Sequence, residues 1–199
     1  MISLCKKIAM PVIMMLGLST MPAEGLMFEF TDTNSDVGQG RFVDVTESVT
    51  GTDEILFMFT IGPGGAHISH VYFADPTDIL LDMVEIQNSA GVSFSEDKNP
   101  KNFPQGNLIG FNTDFSAGAT GGAGNGVDIG ESLGIVFNLE NGMTYDDTIL
   151  AIQTGDFRIG VHGSDAGVTP ISSIPEPTTI LLLGFALVGL FGLRKKFKK

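Results

Sequence analysis

Three histidines, one run of alternating oxygen-bearing residues and one serine flanked by His and Asp are the groups in this chain with chemistry to offer. His67 and His70 lie three apart, and His162 stands on a later alternating run. On a regular strand, residues three apart point to opposite faces, so His67 and His70 share a metal only if the chain bends at Gly65-Ala66. Otherwise they are polar strand faces and strand ends. Asp32-Thr33-Asn34-Ser35-Asp36 presents Asp32, Asn34 and Asp36 at alternate positions, as the start of a calcium loop does. Val37 stands where the sharp-turn Gly of such a loop belongs, however, and Val43 replaces its closing Glu, so an Asp/Asn-rich turn explains the run as well. Asp75-Pro76-Thr77-Asp78 reads as a turn. His162-Gly163-Ser164-Asp165 holds three triad residue types side by side, but triad members meet through the fold and not along an extended chain. No nucleophile elbow, phosphate loop, zinc-protease or dinucleotide motif occurs, and nothing singles out a carboxylate pair for glycoside hydrolysis. No catalytic residue and no resident cofactor follow from the sequence, which reads as that of a non-enzyme.

The elements that hold these groups are strands. Glycine is abundant at 26 of 199 residues, Phe reaches 15, and charged residues are only 17%, a mix that suits an all-β domain rich in turns. Val43 and Val45 alternate with Asp44 and Thr46, and Ile68, His70 and Tyr72 with Ser69, Val71 and Phe73. Ile135, Phe137 and Leu139, then Phe157, Ile159 and Val161, repeat the pattern. Residues 55–59 are apolar throughout, as for a central strand covered on both faces. Gly62-Pro63-Gly64-Gly65, Asn88-Ser89-Ala90-Gly91, Asn99-Pro100 and Asn141-Gly142 punctuate the runs. Eight or nine short strands so spaced predict a β-sandwich, jelly-roll-like, over residues 26–170. One helix is expected at residues 145–154, capped by Thr144, with Asp146 and Asp147 in its first turn and Gly155 at its end. Residues 117–126, low in complexity, read as a flexible surface loop.

Between Leu26 and Ile174 stand 21 acidic residues against four basic ones (Arg41, Lys98, Lys101 and Arg158), a balance of −17. So acidic a body repels phosphate backbones, which excludes nucleic acid as a partner. The single cysteine, Cys5, precedes an apolar run, so the body has no thiol for a disulfide, a zinc site or a nucleophile. Glycan binding calls for exposed aromatics. With no Trp and only Tyr72 and Tyr145, Phe103 in the loop 98–105 is the best exposed candidate.

The two ends carry addresses. Lys6 and Lys7, an apolar stretch over residues 8–18, and small residues leading to a cut after Ala23 or Gly25 form the charge–apolar–small order of a signal peptide. Residues 1–25 are thus read as removed by signal peptidase after passage through the general secretion machinery. Residues 178–193 hold no charge and stop at Arg194, Lys195, Lys196, Lys198 and Lys199. Sixteen helical residues reach about 24 Å, slightly less than a hydrocarbon core, and snorkelling lysines make up the difference. Residues 178–193 are therefore expected to be a transmembrane helix, and residues 194–199 a basic cytoplasmic tail. The acidic body then lies across the membrane. Pro175 and Pro177 bracket Glu176 in the linker 171–177, which neither proline lets continue as helix.

Pro175-Glu176-Pro177, the apolar span and the terminal basic cluster together resemble the PEP-CTERM sorting signal of Gram-negative bacteria. That resemblance implies recognition and cleavage by an exosortase, a precursor in the inner membrane, and delivery to the cell surface or to an exopolysaccharide biofilm matrix. The stretches HVYFADP, GVSFSEDKNP, GESLGIVFNLENG and FRIGVHG are similar to short PEP-CTERM ectodomains with no assigned activity. Two other functions fit the chain: an exopolysaccharide hydrolase, and a surface protein that keeps its membrane anchor.

Overall fold

The computed structural model describes residues 25–32, 38–48, 53–163 and 166–168. Alternation makes its strands. In β3 (Glu54–Ile61), Ile55, Phe57, Phe59 and Ile61 are buried, while Glu54, Leu56, Met58 and Thr60 between them are half-buried. Only one face of β3 is therefore sealed, so the expectation that residues 55–59 are covered on both sides is corrected. The strand is central all the same, lying between β2 (Gly38–Glu47) and β8 (Ser132–Leu139).

The other strands are β1 (Leu26–Asp32), β4 (Ile68–Ala74), β5 (Leu80–Asn88), β6 (Phe94–Glu96), β7 (Phe115–Ala119), β9 (Arg158–Gly163) and β10 (Ala166–Val168). All ten described strands join in one antiparallel sheet, in the order β5-β8-β3-β2-β1-β10-β9-β4-β7-β6. The sheet curls until its two ends meet. Asn88 of β5 receives the Phe94 N–H of β6 at 2.8 Å and donates to the Phe94 carbonyl at 3.3 Å. The expected all-β body is thus one large, nearly barrel-like sheet and not two separate sheets. β10 makes the difference, because it pairs with β1 through Thr31 and Asp32 and with β9 on its other side, which joins the two halves.

Phenylalanine fills the space between the halves. Phe73 of β4 meets Phe57 of β3 at 5.2 Å and Phe137 of β8 at 4.9 Å, both edge-on, and Phe115 of β7 meets Phe137 at 5.2 Å. Edge-to-face rings at such separations add to the stabilisation from burial itself. Arg41 also points inward from β2 and is fully buried. Its Nε donates to the Ala66 carbonyl at 2.9 Å and its Nη1 to Gln39 Oε1 at 3.1 Å, which offsets part of the cost of desolvating the charge.

The helix α2 (Tyr145–Thr154) forms where its caps predict. The Asp147 N–H donates to Thr144 Oγ1, and the Thr144 N–H donates to Asp147 Oδ2 at 3.0 Å, a reciprocal capping box. Gly155 closes the helix at φ 82°, a conformation open to glycine. Tyr145 Oη donates to the Val45 carbonyl at 3.2 Å and so ties the helix to β2. A one-turn helix, α1 (Gly106–Ile109), follows the loop after β6. The run 117–126 departs from its reading as a flexible loop. Ala117 and Gly118 are buried within β7, and Asn125 Nδ2 donates to the Thr120 carbonyl at 2.6 Å in the turn beyond. Small side chains are needed there because another ring lies over them.

Candidate functional site

That ring is His70. In β4, Ile68 pairs with Gly163 and His70 with His162, so Ser69 is an extra residue in the ladder. The bulge changes the face of everything after it. Ile68, Val71 and Phe73 point into the core, whereas Tyr72 and Ala74 belong to a separate outer cluster with Phe103 and Phe111. The sequence reading placed Ile68, His70 and Tyr72 on one face, and the bulge corrects it. With Ser69 inserted, residues three apart across it need not point to opposite faces, so the expectation that separated His67 from His70 does not follow.

His70 lies over Gly118, where a Cβ would come within 2.5 Å of Nε2. Its ring stacks on Tyr72 at 6.0 Å, and Tyr72 meets the edge of Phe103 at 5.3 Å. The loop after β6 folds back across β7 to complete the cluster. Lys101 Nζ reaches His70 Nε2 at 3.0 Å and Asp97 Oδ1 at 3.1 Å. Ser116 Oγ, fully buried, donates to Asp97 Oδ2 at 2.8 Å and accepts from the Lys101 N–H at 3.0 Å. An ammonium can only donate, so Nε2 is the acceptor and the imidazole proton belongs on Nδ1. Arg158 stands 5.2 Å over the Phe111 ring and donates from Nη1 to the Ile109 carbonyl at 2.8 Å.

Electrostatics follow this packing. Burial, and then the Lys101 charge, pull the His70 imidazolium below its usual range against the opposing pull of Asp97. His70 is therefore neutral around pH 7. Burial, with the Asp97 charge behind it, pushes the Tyr72 phenol up to about 12. Lys101 remains the accessible donor, with its side chain 55% exposed. Of the four basic residues of the acidic body, Lys98 and Lys101 lie in this loop, and Arg158 on β9 pairs with Ala74, four positions along β4 from His70. The arrangement offers an anionic or hydroxyl-rich ligand a cationic donor in otherwise acidic surroundings. Sequence reasoning missed it. The i, i+4 spacing of Asp97 and Lys101 was its visible sign.

Other expected site residues fall elsewhere. Phe103 is only 3% exposed, packed between Tyr72 and Phe111, so it is not the exposed glycan platform. An apolar ring shields itself when a second cluster is at hand. Asp75 is a buried turn residue whose carboxylate accepts from the Leu80 N–H at 2.7 Å and from Thr77 Oγ1 at 3.2 Å. Asp32 ends β1 opposite Gly167, while Asn34 and Asp36 lie outside the described residues, as do Ser164 and Asp165. Among the described residues, no three metal-ligating side chains gather. No helix among them is long and apolar enough to cross a membrane. The predicted span 178–193, residues 1–24 of the predicted signal peptide 1–25, Pro175, Glu176, Pro177 and the basic cluster 194–199 lie outside them.

No curated protein and no solved structure matches the chain. A family model, the PEP-CTERM protein-sorting motif, matches residues 173–196. It spans Pro175-Glu176-Pro177, the whole apolar segment and the first three basic residues, in the order the sequence analysis laid out. Residues 173–196 thus carry a PEP-CTERM protein-sorting motif, which implies processing by an exosortase, a membrane-associated precursor and export to the cell surface.

Proposed function

We propose that the protein is a non-catalytic component of an exopolysaccharide matrix on a Gram-negative cell. It is held in the inner membrane by residues 178–193 and released when an exosortase cuts near Pro175-Glu176-Pro177. The observation that carries this reading is the sorting motif at residues 173–196, whose place directly after the acidic body makes that body the cargo. The body's role is to stay folded and soluble outside the cell and to make weak contacts with polysaccharide. Its balance of −17 serves solubility. The face bearing Lys101 and His70 supplies the contact, with carboxylated or hydroxyl-rich sugars as the fitting partners.

Mass spectrometry of the C-terminus of the surface form, purified from native cells, tests the sorting. Loss of residues 178–199 is expected. An intact Lys199 in that form would show a permanently anchored protein instead. Replacing Pro175, Glu176 and Pro177 together by Ala should leave the tail attached and the protein in the membrane fraction. Cosedimentation of the exported protein with the producer's own polysaccharide tests the contact. Lys101→Ala should weaken it severalfold, and depolymerisation of the polysaccharide in that assay would point to a hydrolase.

A further inference from the structure

The start of β1 carries an unsatisfied charge that maturation of the chain can satisfy. Asp44 lies on the outer side of β2, opposite Met27 of β1 and Met58 of β3. Its Oδ1 is buried without a hydrogen-bond partner. The flanking strands offer no cation. Their outward charged residues are Glu29, which accepts from the Gly40 N–H at 3.0 Å, and Glu54, which accepts from Ser48 Oγ at 3.0 Å. Arg41, the only basic residue on β1 to β3, is turned inward and fully buried. Burial pushes the Asp44 carboxyl up, as expected of a carboxylate with no positive neighbour. Gly25 packs against this carboxylate: a Cβ there would collide with Asp44 Oδ1 and with Thr46 Cγ2, so a larger residue would have to displace them.

Gly25 is also where signal peptidase can act. Ala23-Glu24-Gly25 puts small residues at the third and first positions before the Gly25–Leu26 bond, the small-x-small pattern of such sites. Hydrolysis there adds water across the peptide bond. Gly25 leaves as a carboxylate, and Leu26 keeps an amine that takes up a proton. Leu26 is the first residue of β1, beside Met27 and so next to Asp44 across the ladder.

We propose that the signal peptide is cut between Gly25 and Leu26, and that the α-ammonium so formed becomes the ion-pair partner of Asp44. The cut removes Gly25 from against the carboxylate and leaves a positive charge on Leu26, one position from the Met27–Asp44 pair. An orphaned acid in the precursor becomes a paired one in the mature protein, so the pair forms only after export. This inference rests on the export reading.

N-terminal sequencing of the surface form from native cells should begin at Leu26. The α-amine is then titrated by the pH dependence of its labelling with acetic anhydride, read by mass spectrometry. Pairing should raise its pKa from the ordinary value near 8 to about 9, and Asp44→Asn should return it to about 8. A mature start at Glu24 or elsewhere, or the same titration with and without Asp44, would overturn the proposal and leave export intact. Recovery of the protein only inside the cell, with Met1 retained, would overturn the export reading, and this one with it.

Discussion

Truncating Phe73 to Ala tests whether the two halves of the sheet are held together by the aromatic cluster between them. Phe73 is fully buried, meets Phe57 at 5.2 Å and Phe137 at 4.9 Å edge-on, and lies within 6.4 Å of Phe59 and Phe157. Removing a buried Phe costs about 3–5 kcal/mol, most where the surroundings cannot collapse. Here the cavity is walled by strands of a sheet whose ends already meet, and two close edge-to-face pairs, each worth about 0.5–1.5 kcal/mol, go with the ring. The expected loss is therefore at the top of the range, about 4–5 kcal/mol, against a total of about 5–15 kcal/mol for a domain. For a domain of this size that lowers Tm by about 10–20 °C. Phe111→Ala, in the small outer cluster, should cost about 2–3 kcal/mol, since it forfeits burial with little enclosed cavity. Urea unfolding of the exported protein measures both, with the m-value unchanged if the native and unfolded states keep their extents. Equal losses at Phe73 and Phe111 would refute the reasoning, because the halves would then not be packed through Phe73.

Four further outcomes follow from the outer face and the helix. The unfolded chain protonates His70 near its ordinary pKa while the folded protein resists, so stability holds above about pH 6.5 and falls as pH drops below it, until the lower folded value is reached. NMR titration should show Lys101→Met moving the His70 midpoint upward but short of 6.5, since burial is the larger cause; no movement would deny the Lys101–His70 contact. Gly118→Ala drives a methyl to 2.5 Å from His70 Nε2, so the ring should be displaced from Lys101, at a cost of about 1–3 kcal/mol by urea midpoint and with a His70 midpoint nearer 6.5. Thr144→Ala removes the acceptor of the Asp147 N–H and should cost about 1 kcal/mol by the same assay, with Thr144→Ser nearly neutral.

What the sequence disclosed depended on whether the signal was local. The tail is read from one dimension, as a motif, an apolar length and a charge cluster in order, and the family match covers those same residues. The helix α2 was legible for the same reason, because Thr144, Asp147 and Gly155 are caps that act within a turn of the chain. The all-β class was legible from alternation, but the closure of the sheet was not. It depends on β10, three residues long, finding β1 across 134 or more positions of chain, and no periodicity encodes such a pairing.

The outer face escaped because one residue changes it. If the ladder ran without a break from Ile68, His70 and Tyr72 would enter the core with it, and Val71 and Phe73 would turn to solvent. The Phe73 contacts with Phe57 and Phe137 would be lost, and a histidine and a phenol would be buried in their place, at a cost in both packing and desolvation. Inserting Ser69 avoids that outcome. The broken pairing is partly repaired by Ser69 Oγ, which donates to the His162 carbonyl at 3.1 Å. The bulge is therefore a demand of the core, and the His70–Lys101–Asp97 cluster exists on the surface because the core required Val71 and Phe73 on the inside.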